Sequence, residues 1–336
     1  MEHRRKFIVW TVVMLALTAG ASLFALCVGQ FHIEPGRVFQ ELFHPDAGVK
    51  DNVRTVLFNI RLPRIGMALL AGAGLASSGA AFQSLFGNPL ATPDTLGVAN
   101  GASFGAALGI LLGEGRMGVE LSALLFGLAA VGLVFVVTRG IGSKDRSLLM
   151  VVLAGLVISS LFSALVSLVK YVADPQDVLP VITFWLMGSF SGVTKASLKV
   201  SAPLIIIGTV LIFLLRFRLN ALSLPEDEAR SMGINLKRVR IMVIGAASMT
   251  TAAVVASCGV IGWVGLLIPH IARMLFGNDN RLVVPASIIS GALFMLLVDT
   301  LARNMSASEV PVSILTAVIG APLFIILLRQ TGGLRQ

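Results

Sequence analysis

Asp299 is the acidic residue that lies furthest inside a predicted membrane-spanning segment of this sequence. An ionisable residue within a membrane is a functional candidate by default, for example in proton relay. Arg303 follows four residues later, so the two side chains can pair on one helix face. A structural ion pair and a functional site both stay open, although a proton-relay transporter would need more such residues.

The sequence contains no recognisable catalytic motif. No glycine-rich loop ends in Lys-Ser or Lys-Thr, as an ATP-binding loop would. The four histidines do not pair at metal-ligand spacing, and no nucleophile–base set is visible. Cys27 and Cys258 both lie in apolar runs, which favours small core residues over a disulfide or a metal site. We therefore expect no catalytic site, no metal site and no cofactor bound by this chain.

The most polar stretch between apolar runs is Arg216–Arg240, with six Lys or Arg residues and three consecutive acids. Pro225 can open a helix, and Glu226 to Glu228 would then occupy the first turn, where the helix dipole favours negative charge. Gly233 can end the helix with a left-handed cap. The stretch therefore predicts a short helix, a glycine break and a second basic segment, which together form a knob that a soluble partner could contact.

Composition indicates a polytopic membrane protein. Of 336 residues, 56% are hydrophobic and only 13% are charged, against about 25% in soluble domains. With roughly 20 apolar residues needed to cross a membrane, we predict one all-α domain, residues 1–336, with ten spans. These are residues 7–28, 62–85, 93–113, 119–138, 147–170, 197–217, 241–258, 260–276, 282–302 and 311–328.

Two details of this assignment need an argument. A single helix over 241–276 would be roughly 54 Å long, against a hydrocarbon core of ~30 Å, so we predict a break near Gly259. Val181–Phe190 is too short to cross and predicts a re-entrant or interfacial helix. Sixteen of the 26 Lys and Arg residues then lie on the side of both termini, which the positive-inside rule makes cytoplasmic. The net charge of +9 is thus explained by topology, without nucleic acid as a partner.

Two further patterns allow two interpretations each. Arg61 and Arg64 flank the start of the second span, either as interfacial anchors or as a docking point for an acidic partner. The third span carries glycine at positions 97, 101, 105, 109 and 113, which suits close helix packing or a smooth translocation path.

Several motifs resemble the permease family of ABC importers for iron-siderophores, haem and vitamin B12. The similarity covers about residues 54–329. It is carried, in order, by Arg61-Leu62-Pro63-Arg64, Gly79, Gly87-Asn88-Pro89-Leu90-Ala91 with Leu96-Gly97, Gly262–Arg273, Asp299–Arg303, Glu309-Val310-Pro311-Val312 and Thr316–Pro322. Trp263 departs from the family pattern, where Ser-Phe or similar residues are common.

The resemblance implies a vitamin B12 permease-like fold with ten spans in the cytoplasmic (inner) membrane of a bacterium or archaeon. It implies a second permease subunit, with a homodimer preferred over a heterodimer, two ATP-binding cassette subunits that use the ATP, and a substrate-binding protein. It makes residues 216–240 the coupling-helix region. The residues that it assigns are Pro225, Glu226, Glu228, Ala229, Arg230, Ser231, Met232 and Gly233 for ATPase coupling, Arg61, Arg64 and Arg303 for binding-protein docking, and Asn88, Pro89, Leu90, Gly97, Gly101 and Gly105 for the gate or pathway.

The expected function is therefore ATP-driven import of an iron-siderophore or a similar large metal chelate, without covalent chemistry in this chain. Haem, cobalamin and oxyanions are other cargoes of the family, and the sequence does not distinguish them. A stand-alone secondary transporter or channel is the alternative, which inverted repeats or ionisable residues at the midplane would favour.

Overall fold

A computed structural model describes residues 2–43, 52–139, 148–223, 226–231, 233–306 and 309–330. The described residues are mostly helical and include no strand, as the all-α prediction requires. The helices are α1 (Glu2–Cys27), α2 (Pro35–Phe43), α3 (Asn52–Thr55), α4 (Leu62–Phe86), α5 (Val98–Leu111), α6 (Arg116–Arg139), α7 (Leu148–Val172), α8 (Val178–Leu186), α9 (Lys195–Leu219), α10 (Glu226–Ser231), α11 (Leu236–Cys258), α12 (Val264–Phe276), α13 (Asn280–Met305) and α14 (Val312–Gln330).

Ten of these helices correspond to the ten predicted spans. Seven helical segments in the described part are long and apolar enough to cross a membrane, and α5, α12 and α14 are shorter apolar helices. The third span was predicted to begin at residue 93, but Pro93–Leu96 form a tight 3₁₀ turn and Gly97 has a left-handed φ of 81°. Because such a backbone cannot continue an α-helix, α5 begins only at Val98.

The break predicted near Gly259 is present between α11 and α12. Gly259 has a φ of 71°, and a Cβ there would lie 2.3 Å from the carbonyl oxygen of Trp185. Glycine is therefore required both by the backbone conformation and by the close approach of α8. The short apolar piece between the fifth and sixth spans forms α8, whose nine residues are far too few to cross.

Helix α4 lies at the centre of the bundle. Together with α3 and the π-helical stretch Val56–Arg61 that joins them, it forms a continuous helical segment whose apolar part is mostly buried. An added Cβ at Gly72 would lie 2.1 Å from the carbonyl oxygen of Gly291 in α13, and one at Gly79 would lie 1.7 Å from that of Gly265 in α12. The three helices therefore touch backbone to backbone, as small residues allow in membrane bundles.

Candidate functional site

The polar knob predicted from residues 216–240 forms at one end of the bundle, which we call the α10 end. A 3₁₀ turn, Asn220–Ser223, follows α9, and α10 begins at Glu226 with its acids in the first turn. Gly233 has the predicted left-handed conformation, with a φ of 74°. Asn235 then caps α11, accepting a hydrogen bond from the backbone N–H of Arg238 at 3.1 Å. Pro225 and Met232 lie outside the described residues, as do the side chains of Glu226 and Arg230.

Helix α10 is held against the bundle by one small apolar cluster. Ala229 is fully buried and packs with Ala221 of the 3₁₀ turn and Leu236 of α11. Glu228, Ser231 and Gly233 are exposed. The helix thus has one buried and one solvent-exposed side, which is the arrangement that a docking element needs.

A polar network lies beside this knob, which we call the α10-end network: Gln83, Ser84, Asn220, Arg273, Asp279 and Asn280. The amide of Asn220 donates to Asp279 Oδ1 at 2.7 Å and accepts from the backbone N–H of Asn280 at 2.8 Å. Asn280 Oδ1 lies 2.8 Å from the hydroxyl of Ser84, which accepts from Arg273 Nη2 at 3.0 Å. The network therefore joins the end of α9 to α4, α12 and α13.

The predicted gate residues begin four residues after Ser84, just beyond the end of α4. Gly87 ends α4 with a φ of 59°, and Asn88, Pro89 and Leu90 form an exposed turn. Asn88 Oδ1 accepts from the backbone N–H of Leu90 at 2.9 Å and thereby closes the turn. The structure thus places the turn 87–91 next to the α10-end network, and the gate role itself stays a prediction.

The glycine stripe of α5 faces α6. A Cβ at Gly101 would lie 2.5 Å from the carbonyl oxygen of Phe126, and one at Gly105 would lie 2.3 Å from that of Ser122. Gly97 caps α5, and a Cβ added there would lie 3.1 Å from the hydroxyl oxygen of Ser159. Close packing on α6 therefore explains Gly101 and Gly105, and a left-handed backbone beside α7 explains Gly97; the assignment of all three to a pathway stays a prediction.

The predicted docking arginines lie at the opposite end of the bundle, which we call the α8 end, and all three are about 95% buried. Arg64 Nη2 donates to Asp299 Oδ1 at 2.7 Å, and its Nη1 donates to Glu309 Oε1 at 2.9 Å. Arg61 donates to the carbonyl oxygens of Leu26 and Phe31, and Arg303 donates to that of Ala25. Arg61 and Arg303 thus hold the start of α4 and the end of α13 against the last residues of α1 and the loop that follows it.

The prediction that Asp299 pairs with Arg303 is wrong. The hydrogen bonds of Asp299 come from Arg64, which is 235 residues away in sequence. Arg303 instead donates to the carbonyl oxygen of Ala25 in α1. Helical spacing alone could not reveal this, because α4 and α13 meet only in the folded bundle. Glu309 was missed as a site residue although its motif was recognised, and it holds a left-handed φ of 51°.

A cavity of about 610 Å³ also lies at the α8 end, between the start of α6, α8 and the end of α11. Two of its charged residues pair with each other, since Glu120 Oε1 accepts from Arg116 Nε at 2.9 Å and also from Ser197 at 2.6 Å. Before α8, the backbone N–H groups of Asp177 and Gln176 donate to Asp174 and lower the pKa of that exposed carboxyl. Within the described ranges, no three potential metal-ligating side chains come together.

The described molecule is thus a multi-pass helical membrane protein with a polar knob at one end and a buried ion-pair cluster at the other. A family model, the FecCD transport family, matches residues 15–330, and the chain belongs to that family.

Individual relatives agree with this assignment. The molybdate import system permease protein MolB of Haemophilus influenzae is 41% identical over 98% of both chains. The vitamin B12 import system permease protein BtuC of Escherichia coli is 35% identical, again over 98% of both chains. A solved structure described as an inward-facing metal-chelate type ABC transporter is 39% identical, with a TM-score of 0.86 over 96% of this chain and 99% of the other.

Proposed function

We propose that this chain is the translocation subunit of an ATP-driven importer of a metal-containing cargo. The observation that carries the proposal is α10, a short helix with one buried and one exposed face between two long apolar helices. A soluble ATPase subunit would dock on its exposed face, where Glu228 and Ser231 lie. ATP hydrolysis takes place in that partner, and this chain provides the translocation path and changes conformation to open it.

The orientation follows from the same proposal. The α10 end faces the cytoplasm, where the ATPase subunits and most of the basic residues lie, and both termini are cytoplasmic. The α8 end faces outward and receives cargo from a substrate-binding protein in the inner membrane of a bacterium or archaeon. A second copy of this chain completes the path, with two ATPase subunits beneath the pair.

The cargo is a small molecule that carries a metal. An iron-siderophore is expected from the family resemblance, and the solved relative described as a metal-chelate transporter supports that class. The relative named for molybdate favours an oxyanion as a second candidate, since it is 41% identical over nearly the whole chain. Uptake of radiolabelled molybdate, ferric siderophore and cobalamin by the same complex would distinguish these cargoes.

The coupling role is tested in proteoliposomes that contain this chain and its ATPase partner. Glu228→Arg reverses a charge on the exposed face, and Gly233→Pro forces a φ near −65° where the backbone needs 74°. We expect the double variant to lose ATPase binding and ATP-driven uptake. Asp177→Arg makes the same charge change on an exposed residue at the α8 end and should leave ATPase binding intact. Uptake without any ATPase, or an indifferent double variant, would instead support the stand-alone transporter.

A further inference from the structure

We propose that the α10-end network is the linkage that carries the movement of α10 to the turn 87–91, with Ser84 and Asn220 as its two positioning residues. The inference rests on the proposed function, since it explains how an ATPase that moves α10 would act on the path. Neither the family assignment nor the relatives assign a role to these side chains.

The first step is the attachment of α10 to the 3₁₀ turn. Ala221 of that turn, Ala229 of α10 and Leu236 of α11 are buried together, so a displacement of α10 displaces the turn that begins at Asn220. Close-packed side chains transmit such a displacement because interiors have low compressibility.

The second step leads from the turn to α13. One amide, that of Asn220, holds both the cap residue Asp279 and the first residue of α13, Asn280. The two bonds are 2.7 and 2.8 Å long and use both ends of the same amide group. A shift of the turn therefore either pulls the start of α13 with it or breaks both bonds at once.

The third step leads from α13 to the turn 87–91. Asn280 is 99% buried, and its side-chain oxygen meets the hydroxyl of Ser84, three residues before the glycine that ends α4. Arg273 bonds the same hydroxyl and also the carbonyl oxygen of Ala80 at 3.1 Å. The Ser84 hydroxyl also lies 2.9 Å from the carbonyl oxygen of Ala80 in its own helix, so this one buried group contacts α4, α12 and α13 at the point where α4 ends.

The arrangement suits a two-state linkage. Hydrogen bonds weaken steeply with displacement and angle, and buried groups that lose their partners carry a penalty. The network is therefore stable when intact, and a partial shift is disfavoured, so that movement of α10 is passed on rather than absorbed. Two discrete arrangements of packed elements are the basis of known switching transitions.

The test compares Ser84→Ala and Asn220→Ala with wild type in the reconstituted complex. Ser77→Ala is the matched control, because Ser77 is equally buried on α4 but its hydroxyl bonds only Gly74 in its own helix. The readouts are basal ATP hydrolysis and the amount of molybdate, ferric siderophore or cobalamin, whichever wild type transports, taken up per ATP.

We expect both variants to bind the ATPase and hydrolyse ATP at the wild-type rate, while uptake per ATP falls about fivefold, the factor that one lost hydrogen bond typically represents. Ser77→Ala should retain wild-type coupling, and Ser84→Thr, which keeps the hydroxyl, should restore it.

Unchanged uptake per ATP in both variants would overturn the proposal. So would an equal fall in hydrolysis and uptake, or loss of assembly in both variants, because either result assigns the network to structure alone. Absence of ATP-driven uptake in wild type would refute the proposed function instead, so the two failures are distinguishable.

Discussion

The Arg64–Asp299–Glu309 cluster allows a quantitative prediction for Asp299→Ala. Asp299 is fully buried, and the Arg64 side chain is 6% exposed. Removing the carboxylate leaves the guanidinium with one partner, Glu309, whose side chain is 25% exposed. Breaking a buried ion pair by removing one partner costs about 3–5 kcal/mol. We expect a loss near the lower end, about 3 kcal/mol, because Glu309 still compensates part of the charge.

Replacing both partners should cost less than replacing one. In the double variant Arg64→Met with Asp299→Leu, no unpaired charge is buried, and apolar replacements of a buried pair are often neutral. Glu309 would remain partly exposed and could be solvated. With Arg64→Met and Asp299→Leu as the single variants of the cycle, the expected coupling energy between the two positions is about 2 kcal/mol or more, within the range that double-mutant cycles report for residues in one network.

The assay is reversible unfolding of the purified chain in detergent micelles, followed by helical circular dichroism. Arg281→Ala is the control, since its pair with Asp279 is 3.9 Å long and both side chains are largely exposed, so it should change stability by less than about 1 kcal/mol. If Asp299→Ala is no worse than the control, or if the double variant loses the sum of the single losses, the buried pair does not have the role assigned to it.

Two other predictions follow from close contacts. Gly79→Ala should prevent assembly of α4 on α12, because the added Cβ would lie 1.7 Å from the Gly265 oxygen. In the control Gly132→Ala, the added Cβ meets nothing within 4 Å, so this change in α6 should be neutral or slightly stabilising. The yield of folded protein after detergent extraction measures both effects. If an acidic residue of the binding protein competes with Glu309 for Arg64, Glu309→Gln should strengthen docking of the binding protein severalfold. A pull-down titration measures the dissociation constant of that docking. An unchanged dissociation constant would leave Arg64 with a structural role only.

The sequence predicted the elements better than their partners. Helix α10 was predictable because proline, acids and Gly233 stand in the order that local helix physics demands. The break at Gly259 followed from length alone. Neither signal depends on the rest of the chain.

The partners and the burial of the docking arginines and Asp299 could not be predicted from sequence spacing. Spacing suggested arginines that anchor at the interface or dock a partner, and an i, i+4 pair, yet Arg64 bonds the Asp299 carboxylate and all three arginines are buried. The α10-end network was likewise not predictable, because Ser84 and Asn280 are far apart in sequence and only helix packing brings them together. Local propensity cannot encode which of many polar side chains will share a buried space.

The contacts of Gly72 with Gly291 and of Gly79 with Gly265 also fix the timing of biogenesis. Helix α4 leaves the ribosome roughly 200 residues before the helices that cover it, an interval of about 10–40 s at 5–20 residues per second. For that time its narrow glycine surface must remain in the membrane without its final neighbours. The centre of the bundle is therefore among the first segments synthesised and among the last to be enclosed.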